Sequence, residues 1–216
     1  MMALLIKALL AYLLGSVIGS LVIGRIRGVD IRSMGSGNPG ATNALRTQGM
    51  KVGLTVLAID MFKGWLATAV LAAWPLSPGA PADPAWAAWS APVCGIAVIL
   101  GHLYPVWFGF RGGKGVATLV GALLGISGRL LLVFVLTWLA AVILAGFVGL
   151  ASMLGAVAVL VASAVGDFPH RTPRVVFALV AALLILYTHR GNIARMQAGT
   201  EPKAKRLWLL GTRRSG

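Results

Sequence analysis

Acidic residues are scarce in this chain: five Asp and Glu stand against 19 Lys and Arg, a formal net charge of +14. Charged residues of either sign make up 11% of the sequence, whereas a soluble domain carries about a quarter. That shortage, beside a hydrophobic fraction of 58%, excludes an ordinary soluble protein and indicates an all-α polytopic membrane protein. With 216 residues, the chain is expected to be a single domain, 1–216. On a soluble protein the basic excess would suggest nucleic acid. In a membrane protein, Lys and Arg that flank the spans on the cytoplasmic side and meet anionic lipid account for it. Membrane lipid is therefore the expected partner and nucleic acid is not. An anionic substrate would draw on the same charge. The single cysteine, Cys94, lies in an apolar run and excludes an intramolecular disulfide and a Cys-cluster metal site. The first apolar run, Ala8–Ile23 after Lys7, is slightly long for a signal-peptide core and no A-x-A site follows it, so it reads as a retained span.

A helix needs about 20 apolar residues to cross a bilayer. Ala3–Ile23, Val52–Trp74 and Trp86–Tyr104 meet that length, the second despite Asp60 and Lys63. Residues 75–84, PLSPGAPADP, cannot form a helix interior and read as a loop. From Leu130 to Gly166 run 37 residues without an Asp, Glu, Lys, Arg or His. As one helix this stretch would be roughly 55 Å long, so it divides into two spans, with Gly146 and Gly149 at the turn. GDFPHRTP, 166–173, is a loop, and Arg174–Tyr187 is the last span. Val116–Ile126 is apolar but short; if it crosses there are seven spans, and if it dips there are six.

Basic residues separate these cases. Six lie in 24–63 (Arg25, Arg27, Arg32, Arg46, Lys51, Lys63), two in 105–115 (Arg111, Lys114) and seven after 188. With seven spans these fifteen share one side and leave Lys7, Arg129, Arg171 and Arg174 on the other. The positive-inside bias then predicts seven transmembrane helices, with the N-terminus outside and the C-terminus cytoplasmic. No inverted repeat is visible and the polar residues gather at one membrane face, which argues against a secondary transporter.

Three polar stretches carry the chemistry. In the first, GSGNPGATNALR (35–46), Asn38-Pro39-Gly40-Ala41 suits a type II turn, and Thr42 or Asn43 can cap the helix that follows. Arg46 then falls one turn inside that helix, its cation facing the positive end of the dipole. A bound anion would remove the conflict, and glycines, the Ser36 hydroxyl and a guanidinium together describe a phosphate cradle. In the second, GHLYPVWFGFRGGKGVAT (101–118), Gly112, Gly113, Lys114 and Gly115 precede a helix start, where backbone N–H groups and the Lys114 cation suit an anion. The spacing is not that of a Walker A loop. His102 reads as a helix-end residue of an aromatic belt with Tyr104 and Trp107. In the third, THRGNIARMQAGTE (188–201), His189 and Asn192 share a helical face, and Glu201 is the one acid of a basic tail, able to pair with Arg195 or Lys203. Asp60 and Lys63, three apart in the second span, are expected to be paired and inward-facing, with Asp60 steadying Arg46 or Lys114.

In that order GSGNPGATNALR, GHLYPVWFGFRGGKGVAT and HRGNIARMQAGTE, with DMFKG (60–64) after the first, resemble the membrane acyl-phosphate:glycerol-3-phosphate acyltransferase family of bacterial phospholipid synthesis. The likeness runs from the first span to Glu201. It implies transfer of a fatty acyl group from a long-chain acyl phosphate to the 1-hydroxyl of glycerol 3-phosphate, giving lysophosphatidic acid and phosphate. It implies no cofactor and no metal, a multi-pass protein of the bacterial inner membrane with its site at the cytoplasmic face, and an acyl-phosphate-forming enzyme as metabolic partner. It places Ser36, Thr42, Asn43, Arg46, Lys114, His189 and Asn192 along the two substrate sites, with Arg46 and Lys114 on phosphates and His189 and Asn192 on the glycerol hydroxyls. Gly112, Gly113 and Gly115 would carry the acyl-phosphate loop; Asn38 and Glu201 join the binding set. Acyl phosphate is already activated and no Ser-His-Asp set is apparent. The donor's phosphate can therefore accept the hydroxyl proton in a direct, substrate-assisted transfer, His189 and Glu201 being the other candidate bases. A non-enzymatic membrane carrier or channel for an organic phosphate is the alternative reading.

Overall fold

The apolar runs fold as helices, since a backbone in hydrocarbon has no solvent to satisfy its polar groups and must pair them internally. The computed structural model describes residues 1–75 and 84–204. Nearly all of the expected 75–84 loop, and the tail from 205, lie outside the described residues. No strand occurs among those described. They form two compact units, Met1–Ser127 and a second beginning at Gly128.

The first unit holds α1 (Met2–Gly15), α2 (Gly19–Ile26), α3 (Ala41–Gln48), α4 (Met50–Trp65, continued by a π-helical turn, Leu66–Leu71), α5 (Pro84–Leu103) and α6 (Val116–Ile126). The expected first span is broken: α1 and α2 meet at a 45° bend. Small residues let the helices close on one another. A Cβ at Gly15 would collide with the Val98 carbonyl and one at Gly101 with that of Tyr12, so α1 and α5 touch backbone to backbone. Along the α4–α6 seam Gly64 lies against Thr118, Gly121 against Met61 and Gly125 against Thr68. Met61 opposes Gly121 and Thr68 opposes Gly125, so the two helices run in the same direction. The Thr68 hydroxyl bridges the seam, donating to the Gly64 and Ala122 carbonyls at 3.0 and 3.1 Å.

The second unit holds α7 (Gly128–Ala145), α8 (Val148–Val165), α9 (Arg171–Thr188) and α10 (Arg190–Gln197). The long apolar stretch does divide in two. Gly146, at φ +78°, makes the turn, and Gly149 is already inside α8. Gly149 serves packing instead: a Cβ there would come within 2.7 Å of Asn192 Nδ2. Among the described residues, five segments are long and apolar enough to cross a membrane: Met50–Leu71, Trp86–Phe108, Gly128–Ala145, Val148–Val165 and Arg171–Thr188. The bent α1–α2 pair makes up to six. The remaining apolar helix, α6, has 11 residues, about 16 Å of rise against a hydrocarbon core of about 30 Å.

Candidate functional site

The first motif is a loop wound around one buried amide. Asn43 is 2% exposed. Its Oδ1 accepts from the Ser36 N–H at 3.0 Å, and its Nδ2 donates to the Met34 and Ile31 carbonyls at 2.9 and 3.4 Å. The positive φ angles fall at Gly35 (+56°) and Gly37 (+71°), and a Cβ on Gly35 would collide with Asn43 Oδ1. The expected type II turn is not formed: it needs a positive φ at Gly40, which has φ −121°. Gly40 is instead the N-cap of α3, so Thr42 and Asn43 lie inside the first turn and neither caps it. Buried Pro39 is anchored by the Ser20 hydroxyl, which donates to its carbonyl at 2.8 Å. The Asn38 amide lies over Gly40. Ser36, Thr42 and Arg46 are exposed, and Thr42 and Arg46, four apart, share a face of α3. Arg46 is in the last turn of this eight-residue helix, where a cation is favoured by the dipole; the expected conflict disappears because the helix is short.

The second loop adjoins the first. Phe108 packs on the cluster of Ile18, Leu21, Ile31, Ala44 and Val56, and Arg32 Nη1 donates to the Phe108 carbonyl at 3.3 Å. Arg32 also pairs with Asp30 at 2.9 Å, and its guanidinium, hydrogen-bonded there, holds the Asp30 carboxyl below the usual carboxylate range. After α5 the chain turns through Val106–Phe108 and the left-handed pair Gly109 and Phe110, then returns along the end of α5. Gly112 N–H donates to the Leu103 carbonyl and Gly113 N–H to that of His102, each at 3.1 Å. These two N–H groups, expected to face an anion, are taken up by the loop. Gly115, at φ +83°, is the N-cap of α6, so helix geometry leaves the N–H groups of Val116, Ala117 and Thr118 pointing out of the first turn. Lys114 is half-buried just before them.

Beneath this loop lies a buried ionic cluster. Asp60 and Lys63 pair at 2.9 Å, and Lys63 Nζ is also 2.9 Å from His102 Nδ1. The expected inward-facing Asp60–Lys63 pair is formed, and Asp60 closes on His102 as well; Arg46, one of the two cations it was expected to steady, is exposed on α3. His102 is 2% exposed and belongs to this cluster rather than to an aromatic belt. Sequence reasoning missed it, although a third ionisable group at the end of a span calls for an internal partner.

In the second unit the third motif is a capped bend. His189 is buried, and its Nδ1 donates to the Ile185 carbonyl at 2.8 Å. Asn192 Nδ2 donates to Glu201 Oε1 at 2.6 Å, and Arg195 Nε donates to Glu201 Oε2 at 2.7 Å. Glu201 thus pairs with Arg195, one of the two partners expected, and steadies Asn192 as well.

The class defined here is a helical integral membrane protein whose first unit carries two adjoining cationic, glycine-rich loops. A family model described as "Glycerol-3-phosphate acyltransferase" matches residues 5–199. The glycerol-3-phosphate acyltransferase of Aquifex aeolicus is 37% identical over 203 residues, covering 91% of this chain and 97% of its own. That of Bacillus subtilis is 40% identical over 202 residues, covering 93% and 96%. Crystal structures of PlsY, an integral membrane glycerol 3-phosphate acyltransferase, superpose on the chain. The glycerol 3-phosphate form gives a TM-score of 0.81 at 36% identity, covering 93% of this chain and 94% of that one; the lysophosphatidic acid form gives 0.80 at 35%, covering 96% and 98%. The chain belongs to the glycerol-3-phosphate acyltransferase family. It is therefore an enzyme, and the carrier reading falls away.

Proposed function

We propose that the protein transfers a fatty acyl group from acyl phosphate to the 1-hydroxyl of glycerol 3-phosphate. The hydroxyl oxygen attacks the acyl carbonyl carbon, the bond from that carbon to the phosphate oxygen breaks, and the hydroxyl proton passes to the departing phosphate. Products are lysophosphatidic acid and inorganic phosphate. The carrying observation is the join at Arg32 and Phe108, which sets two glycine-rich cationic loops side by side; a reaction between two phosphate-bearing substrates needs two such loops.

Arg46 and Thr42, on one face of α3, bind one phosphate together with Ser36. Lys114 and the first turn of α6 bind the other, the acyl donor's. Gly112 and Gly113 contribute as the seat of Lys114, their own N–H groups being bonded to α5. Asn38 and Asn43 shape the first loop around Ser36. In the second unit His189 and Asn192 orient glycerol hydroxyls, and Glu201 holds Asn192. No residue needs to form an acyl-enzyme, because the donor carries its own leaving group.

The whole chain, 1–216, acts as one acyltransferase domain in the bacterial inner membrane. It crosses seven times, with the N-terminus outside and the loops and tail cytoplasmic. An enzyme that forms acyl phosphate is its metabolic partner. Purified protein given palmitoyl phosphate and glycerol 3-phosphate should release phosphate and lysophosphatidic acid in equal amounts. Activity with palmitoyl-CoA but none with palmitoyl phosphate would overturn the donor assignment.

A further inference from the structure

The break between α1 and α2 exposes backbone groups inside the bilayer region, where each needs a partner. Lys63 Nζ donates to two of them, the Gly15 carbonyl at 3.0 Å and the Val17 carbonyl at 2.8 Å. The N–H of Gly19, at the start of α2, donates to Asp60 Oδ1 at 3.3 Å. One side of the Asp60–Lys63 pair is thus fully engaged with the broken span. The other side is His102. Nζ has four polar neighbours around three N–H bonds: the two carbonyls, Asp60 Oδ1 and His102 Nδ1. His102 Nδ1 thus faces the ion pair, 2.9 Å from Lys63 Nζ and 3.6 Å from Asp60 Oδ1, and Nε2 is turned away from it.

That Nε2 corner stands directly against Gly113, where any Cβ would collide with it. The same residue's carbonyl receives the Gly113 N–H, so His102 holds Gly113 through both its ring and its backbone. Lys114 follows at once. Capping the break requires Lys63 and Asp60; it does not require an imidazole between them and the loop. Buried ion pairs are also a poor source of net stability compared with apolar packing of the same volume, so stability is a weak reason for the third member.

We infer that Asp60, Lys63 and His102 form a positioning staple that sets the Gly112–Lys114 segment from within the membrane, with His102 as the member that acts on the loop. This rests on the reading of that loop as the acyl-phosphate loop. None of the three touches the reacting atoms; they act through Lys114 and the start of α6.

The discriminating pair of variants is His102→Leu and His102→Gln. Leucine keeps the volume but cannot accept from Lys63. Glutamine can accept through Oε1 and still reach toward Gly113. His102→Leu should raise KM for palmitoyl phosphate about tenfold, equivalent to about 1.4 kcal/mol, and leave KM for glycerol 3-phosphate within about twofold. His102→Gln should restore the donor KM to within about threefold of wild type. Independently of activity, hydrogen–deuterium exchange at the Gly112 and Gly113 amides should quicken by about tenfold or more in His102→Leu, with α8 and α9 unchanged. If His102→Leu cannot be recovered folded, His102→Asn, whose shorter amide cannot span from Lys63 to Gly113, carries the same comparison. Equal rises in both KM values, failure of glutamine to rescue, or wild-type exchange in the leucine variant would each overturn the staple. Wild-type enzyme that ignores palmitoyl phosphate would sink the donor reading instead, and the exchange measurement would still decide the staple.

Discussion

Ser36 and Asn43 divide one loop between an exposed hydroxyl and a buried amide. Asn43 fixes the backbone of residue 36 by accepting its N–H, so the Ser36 side chain is held at the surface of a rigid turn. That suits a group that binds phosphate. A nucleophile would need a base within reach, and the residues bonded around it are amides and carbonyls. Wild-type enzyme incubated with palmitoyl phosphate alone should therefore show no acyl mass increment by intact-protein mass spectrometry. Ser36→Cys, a better nucleophile, should show none either. A stoichiometric adduct on residue 36 would establish a covalent route. Glu201 illustrates a different economy, one carboxylate serving two partners. Glu201→Gln keeps an acceptor for Asn192 but loses the charge beside Arg195 and turns its NH2 toward the Arg195 Nε–H; with Arg195 40% and Glu201 6% exposed, that loss is about 1 kcal/mol. Glu201→Ala removes the acceptor that Glu201 offers to Asn192 and to Arg195 together and should cost about 1–3 kcal/mol. The thermal unfolding midpoint should fall clearly further for alanine than for glutamine, and kcat should follow the same order.

At the scale of elements, the helices were readable because a bilayer converts length into topology: runs of about 20 apolar residues announce themselves. The chemistry of the motifs was readable too, as glycine, hydroxyl and cation in short loops. What escaped were interactions joining distant positions. The length of α3 depends on Gly49, at φ +86°, stopping it after Gln48; overlooking that stop placed Arg46 at the wrong end of a dipole. The turn at Asn38–Ala41 was assigned from local propensity, but Asn43, reaching back from the helix, sets the loop's path and puts the positive φ angles at Gly35 and Gly37 instead. His102 and Lys63 are 39 residues apart, and no local period links them. Small residues at the α4–α6 seam were likewise invisible until the helices were paired, and they make a clear prediction. Gly121→Ala drives a methyl into the Met61 carbonyl and should cost about 1–3 kcal/mol by overpacking. Gly128→Ala meets no atom within 4 Å and should be neutral or stabilising by up to about 1 kcal/mol. Thermal unfolding in detergent, read by intrinsic tryptophan fluorescence, should separate the two; equal midpoints would mean the seam is looser than drawn.

At the scale of the whole molecule, membrane topology turns on α6. Within the first unit both motif loops lie at one end, joined by Arg32 and Phe108. Within the second, the chain after α10 meets the α7–α8 turn: Ala204 N–H donates to the Gly146 carbonyl at 2.8 Å, and Lys203 lies 5.2 Å from the centre of the Phe147 ring. Each unit therefore has one end rich in loops and basic residues. A crossing by α6 assigns both ends to the same membrane face; a dip assigns them to opposite faces. Lys63 must first be removed from the loop charges, because it is buried in the ionic cluster. Fourteen Lys and Arg then fall on one face in the seven-span topology and four on the other, a bias that still favours crossing. The parallel run of α4 and α6 means that α6 enters from the face where α4 starts, whether it crosses or dips. Eleven residues, about 16 Å as a helix, leave the bilayer to thin locally or the flanking loops to enter it. The test is labelling of single cysteines, in a Cys94→Ala background, with a membrane-impermeant maleimide. Ser33, Arg111, Asp167 and Thr200 are all exposed positions. Ser33→Cys, Arg111→Cys and Thr200→Cys should react only after the membrane is permeabilised, whereas Asp167→Cys, between α8 and α9, should react from outside in intact cells or sealed right-side-out vesicles. Thr200→Cys reacting from outside while Ser33→Cys stays protected would make α6 a dip and reduce the count to six.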